Sequence, residues 1–122
     1  MKFQDKTIII TGGSRGIGAA TAKHFAQEGA QVFVFDIRPL QYESPQVSLI
    51  NCDVSQLEQV TTAVQQVQQQ AKKIDYLFCN AGIHLFANVE ESLQADLQAV
   101  VNTNLLGTFY CLQNVLPIMK QQ

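Results

Sequence analysis

At 122 residues the chain suffices for one domain with its own core, and 47% hydrophobic against 15% charged residues describes a folded globular protein. A net charge of −2 argues against the basic surface that nucleic acid requires. Cys52, Cys79 and Cys111 are scattered and form no Cys-x-x-Cys pair, which argues against a disulfide framework or a zinc site and for reduced thiols in the cytoplasm.

In chain order, residues 6–11 read as a first strand, β-branched and apolar. The run from Ile8 is too short for a secretory signal and follows Asp5-Lys6, and nothing approaches a membrane span. The glycine-rich turn Thr11-Gly-Gly-Ser-Arg-Gly-Ile-Gly18 comes next, then a helix over 16–28 that stops at Gly29. Residues 31–36 form a second strand, almost continuously apolar, as one covered on both faces should be. Pro39 and Pro45 mark 38–48 as loop, and 47–50 as a weaker third strand.

Ser55-Gln-Leu-Glu58 has capping-box spacing, and Leu57, Val60, Val64, Val67 and Ala71 then recur on one helical face. The glutamines within 65–70 read as the solvated side of that helix. Residues 74–79 form a fourth strand ending in Asn80-Ala-Gly82. A short helix is expected to begin near Ser92, and a longer one from about Val100, with Pro117 limiting its regular continuation. Alternating strands and helices predict an α/β domain over 1–122 with a parallel sheet and right-handed crossovers.

A strand, a glycine turn and a helix N-terminus together make a phosphate site, because helix amides and dipole face whatever lies in the turn. The spacing Gly12-x-x-x-Gly16-x-Gly18 departs from the general dinucleotide fingerprint, which would need a glycine where Thr21 sits. In its extended form, Thr-Gly-x-x-x-Gly-Ile-Gly, it resembles the short-chain dehydrogenase/reductase family. Other landmarks fall in family order: Asp36 at the end of the second strand, Asp53-Val54 after the third, Asn80-Ala81-Gly82 after the fourth, and Asn104-Leu-Leu-Gly107 on the following helix.

The resemblance covers essentially the whole chain and implies the N-terminal half of a Rossmann-like doubly wound sheet, with strand order 3-2-1-4 and flanking helices. It implies an oxidoreductase that moves hydride between an alcohol and a ketone with NAD(P). The amides near Ser14, Arg15, Gly16 and Ile17 would meet the pyrophosphate, between Gly12 and Gly18. Asp36 would bind the adenosine ribose and, by repelling a 2′-phosphate, favour NAD over NADP, although Arg15 and Arg38 could hold such a phosphate. Asp53 and Val54 would meet adenine, with Asp53 also able to cap near Ser55. Asn80, Ala81 and Gly82 would line the cofactor cleft, and Asn104 corresponds to the asparagine of the family's proton relay. His24 and His84 have no metal-spaced partner and read as ordinary polar residues.

The family's Tyr-x-x-x-Lys pair does not occur: Tyr42, Tyr76 and Tyr110 are followed four residues on by Gln46, Asn80 and Asn114. The chain therefore reads as the dinucleotide-binding half of a family member, inert by itself. One competing reading is a non-catalytic nucleotide-binding or assembly module. Another is a Rossmann-like methyltransferase, against which Thr11 and the glycine spacing speak. The fourth strand as an apolar edge and the final helix, apolar on more than one face, predict a homo-oligomer.

Overall fold

The computed structural model describes all 122 residues. The strands are β1 (Thr7–Thr11), β2 (Gln31–Asp36), β3 (Val47–Asn51) and β4 (Tyr76–Cys79), and the helices are α1 (Gly16–Gln27), α2 (Leu57–Ala71), α3 (Gln94–Val100) and α4 (Gly107–Gln121). A 3₁₀ turn at Val89–Glu91 precedes α3, and a π-helical segment, Val101–Leu106, joins α3 to α4. The sheet is parallel in the order β3-β2-β1-β4, with Ile9 opposite Phe33 and Leu77. The anticipated Rossmann-like half-sheet is present.

Strand side chains alternate between faces, so the chain builds two cores. Ile8, Ile10, Val32 and Val34 pack with Ala22 and Ala26 of α1. Ile9, Phe33, Phe35 and Ile50 pack on the other side with Val60, Val64 and Val67 of α2 and Cys111 and Val115 of α4. Alanines on the inner face of α1 bring that helix near the sheet, which sets where its N-terminus sits.

Four local expectations need correction. Ser55 does not cap α2: its hydroxyl donates to Asp53 Oδ1 (2.7 Å), a charged acceptor two residues back, and Gln56 occupies the cap position without a side-chain bond. Leu57 is exposed, while Ala63 joins Val60, Val64 and Val67 in the core. The fourth strand begins at Tyr76, because the backbone of Ile74 is bonded elsewhere: its N–H donates to Gln122 Oε1 and its carbonyl accepts from Gln122 Nε2, both at 2.9 Å. That same clamp holds the end of α4, which runs on past Pro117 to Gln121. A proline removes one backbone donor, and here the last turn is fastened from outside.

Tyr76 on the β4 edge is exposed, as are Leu105, Phe109, Leu112 and Leu116 of the π segment and α4; Cys111 and Val115 face inward. No helix is long and apolar enough to cross a membrane.

Candidate functional site

The C-terminal ends of β1, β2 and β4 open onto a cavity of about 650 Å³. The turn after β1 gives it Gly12, Arg15, Gly16 and Ile17; the end of β2 gives Asp36 and the segment after it Arg38; the segment after β3 gives Asp53 and Val54; and that after β4 gives Asn80, Ala81 and Gly82. Open α/β sheets place ligands at such strand ends.

The glycines of the turn have separate tasks. A Cβ on Gly16, where φ is +62°, would find nothing within 4 Å, so bare backbone faces open space. A Cβ on Gly18 would stand 2.4 Å from the Gly12 carbonyl oxygen and 2.6 Å from Asn80 Nδ2, so this glycine serves helix-to-turn packing. Gly18 and the fully buried Ser14 do not line the cavity, unlike the other expected contact residues. Arg15 occupies the N-cap position of α1 with no side-chain cap bond, and no acidic residue lies in the first turn. The first amides of α1 thus keep donors free for an anion at the cavity wall.

Hydrogen bonds fix the wall. Thr11 Oγ1 accepts the N–H groups of both Asn80 and Ala81 at 3.0 Å, and Asn80 Nδ2 donates to the Gly12 carbonyl (3.1 Å). Asp36 accepts Ser14 N–H through Oδ2 (3.1 Å) and Arg38 N–H through Oδ1 (3.0 Å). No carboxylate pairs with Arg15 or Arg38, since the ion pairs present both involve Asp75. The cavity therefore carries two unpaired guanidinium groups near one preoriented carboxylate. Asp53 Oδ1 accepts the Ser55 N–H (3.0 Å) and hydroxyl in a local turn ahead of α2, whose cap position is taken by Gln56 rather than by Asp53 or Ser55.

Asn104 lies in the π segment, where the Gly107 N–H donates to Asn102 O in the wide register. Its side chain clamps Ile83 from both sides, accepting the N–H at 2.8 Å and donating to the carbonyl at 3.0 Å. Asn104 is not among the cavity residues, whereas Asn102 and Thr103 are. Gly107 has a packing reason: a Cβ there would meet Val54 Cγ2 at 2.7 Å.

Cys52 reaches the cavity, and burial, reinforced by the Asp53 charge, pushes its thiol up to about 11, which keeps it protonated at neutral pH. His84 also lines the cavity, while His24 lies on α1 away from it. No cluster of three or more His, Cys, Asp or Glu side chains is arranged to hold a metal ion. The hydroxyl bridge at Thr11 was partly signalled by its place in the glycine motif. The participation of Tyr42, whose hydroxyl reaches the Gly13 carbonyl at 2.9 Å, carried no sequence signal because it spans 29 residues.

Residues 6–122 match the model of the short chain dehydrogenase family. The 3-oxoacyl-(acyl-carrier-protein) reductase of Thermotoga maritima is 36% identical over 131 residues, which cover 100% of this chain and 53% of the relative. Levodione reductase of Leifsonia aquatica is 35% identical, with 99% of this chain and 50% of the relative covered. Among solved structures, ligand-free aldohexose dehydrogenase of Thermoplasma acidophilum superposes with a TM-score of 0.93 at 29% identity, over 98% of this chain and 46% of the other. The 3-ketoacyl-(acyl-carrier-protein) reductase of Brucella melitensis, complexed with NADH, superposes with a TM-score of 0.91 at 28% identity, over 98% and 52%. The chain spans about half the length of the curated relatives it matches.

Proposed function

The chain belongs to the short-chain dehydrogenase family, and from that premise we propose that its cavity holds the adenosine and pyrophosphate portion of a nicotinamide dinucleotide. One observation carries the reading: the uncapped N-terminus of α1 and the open space at Gly16 share a cavity with the carboxylates of Asp36 and Asp53. The amides at Arg15 to Ile17 would hold the pyrophosphate, Asp36 the ribose hydroxyls, and Asp53 with Val54 the adenine. Asn80, Ala81 and Gly82 would border the path toward the nicotinamide, with the Asn104 clamp holding that border in place. When bound, such a group supplies hydride chemistry between an alcohol and a ketone.

NAD is the preferred form, because Asp36 sets a negative charge where a 2′-phosphate would lie and its two backbone donors keep it there. These 122 residues hold no Tyr-x-x-x-Lys, so by themselves they are expected to bind the dinucleotide without turnover. The cytoplasm is the proposed working location, where the three cysteines, none of them disulfide-bonded in this structure, would stay reduced.

Calorimetry tests the binding reading. ADP-ribose and NAD should bind the chain within about threefold of each other, and no secondary alcohol or ketone should be converted above background with NAD or NADP. Far tighter binding of NAD than of ADP-ribose would refute the adenosine-end assignment. Turnover that persists after rigorous removal of host dehydrogenases would refute the inert half.

A second copy of the chain is the proposed partner. Leu93 and Leu97, followed by Leu105, Phe109, Leu112 and Leu116, expose an apolar stripe along α3, the π segment and α4, beside the open β4 edge. Covering even about 400 Å² of it contributes roughly 10 kcal/mol at 25 cal/mol per Å², before the cost of association. Light scattering at tens of micromolar should report a dimer or larger species. A monodisperse monomer with a cooperative melt would contradict this.

A further inference from the structure

Residues 37–46, between β2 and β3, carry two prolines and no regular structure, yet together with Asp36 at the end of β2 they are bound closely to the glycine turn. Ser14, fully buried, supplies three of the ties. Its N–H donates to Asp36 Oδ2 at 3.1 Å, its hydroxyl donates to the Arg38 carbonyl at 2.8 Å, and its own carbonyl accepts the Gln41 N–H at 3.0 Å. The fourth comes from Tyr42, whose hydroxyl donates to the Gly13 carbonyl at 2.9 Å. The ring of Tyr42 packs with Leu40 against the α1-side core, and Lys23 Nζ of α1 stands 5.7 Å from its centroid. Burial, with the Asp36 charge adding to it, pushes the Tyr42 hydroxyl above the ordinary tyrosine value, so it remains a protonated donor at neutral pH.

These ties join two pieces of one cavity wall. Arg15, Gly16 and Ile17 come from the turn, and Asp36, Ile37 and Arg38 come from the root of the segment. A ligand that touches only one piece is indifferent to their separation. One that spans both binds well only if the separation is held, because fixing it in advance removes an ordering cost from binding. Ser14 ties the near end, and Tyr42 is the tie farthest along the segment.

We propose that Tyr42 is a positioning residue: by bonding the Gly13 carbonyl it fixes the 37–46 segment against the glycine turn and so sets the affinity of ligands that bridge Asp36 and the α1 N-terminus. The proposal deepens the dinucleotide reading and rests on it. Tyr42 touches no ligand in this role and acts through the turn.

Tyr42→Phe removes the hydroxyl and keeps the ring, so the fold should persist. Hydrogen exchange of the ligand-free protein reads the tie itself. The Gln41 amide should exchange at least tenfold faster in Tyr42→Phe, with the amides of β1 and β2 unchanged. Titrations then read its consequence. ADP-ribose, which spans both pieces, should bind at least fivefold more weakly to the variant, whereas adenosine alone and inorganic pyrophosphate alone should change by less than twofold. A merely structural role would weaken adenosine and ADP-ribose alike. That result, or unchanged ADP-ribose affinity, or unchanged Gln41 exchange, would overturn the proposal. Failure of the wild-type chain to bind ADP-ribose at all, with Gln41 exchange accelerated in the variant, would instead overturn the dinucleotide reading while leaving the tie intact.

Discussion

Replacing Gly18 by alanine should lower the thermal midpoint by roughly 10–15 °C. The added Cβ would lie 2.4 Å from the Gly12 carbonyl oxygen, 2.6 Å from Asn80 Nδ2 and 2.9 Å from Gly13 Cα, and two of those three neighbours are backbone. Forcing a methyl into such a contact costs about 1–3 kcal/mol. The Asn80-to-Gly12 hydrogen bond lies in its path, and losing it adds about 1 kcal/mol. At roughly 3–6 °C per kcal/mol for a domain of this size, the combined loss of about 2–4 kcal/mol spans roughly 6–24 °C, and the stated shift is the middle of that range.

Gly16→Ala should behave in the opposite sense. Its Cβ meets nothing within 4 Å, so only the strain of a positive φ remains, about 1 kcal/mol. Because that methyl would enter the cavity, ligand binding should suffer far more than stability. Calorimetric melts and ADP-ribose titrations of the two variants separate the effects. If Gly16→Ala melted earlier than Gly18→Ala, or if it bound ADP-ribose normally, the division of labour between the two glycines would be wrong.

The second large effect is expected at Asp36. Charge-assisted hydrogen bonds contribute about 1.5–3 kcal/mol each, so removing the carboxylate from the ribose site should weaken NAD by roughly 10- to 100-fold. NADP should lose much less or gain, since Arg15 and Arg38 would then face a 2′-phosphate with no opposing charge. Asp36→Ala also orphans the Ser14 and Arg38 N–H groups, so stability must be separated from specificity. Asp36→Asn does this in part, because its one amide oxygen can still accept one of the two backbone N–H groups while the charge is gone. Titrating NAD and NADP against both variants should find the NAD-to-NADP affinity ratio collapsed in each, with the smaller melting shift in Asp36→Asn. Equal weakening of both cofactors would remove the ribose assignment.

The legible parts of this protein were those written locally. The glycine turn, the nearly continuous apolar run of β2 and the ordered landmarks from Asp36 to Asn104 carry the family resemblance, which implies the sheet order and brings about half of the cavity residues into view. Local patterns misled where a stronger partner lay nearby in space. Ser55 has capping-box spacing, yet its hydroxyl is oriented by donation to the Asp53 carboxylate and α2 starts one residue later, with Gln56 at the cap position. Pro117 looked like a stop, yet Gln122 pins the end of α4 to Ile74, 48 residues distant. Gly16 and Gly18 looked alike in the motif. Only the packing of α1 against Gly12 and Asn80 separates the one that faces open space from the one that fills a contact. Tyr42 was unreadable for the same reason, since its bond to Gly13 depends on how the 37–46 segment returns to the turn.

The central claim is that a dinucleotide's adenosine and pyrophosphate portion sits between the α1 N-terminus and Asp36, and amide NMR during an ADP-ribose titration tests it most directly. The largest shifts should fall on the amides of Arg15, Gly16 and Ile17, with Ile37 and Arg38 following at the same ligand concentrations, while the amides of α2 beyond Gln59 stay within noise. Saturable shifts confined to the groove between β3 and α2, around Asn51, Thr62 and Gln66, with Gly16 and Ile17 unmoved, would contradict the account.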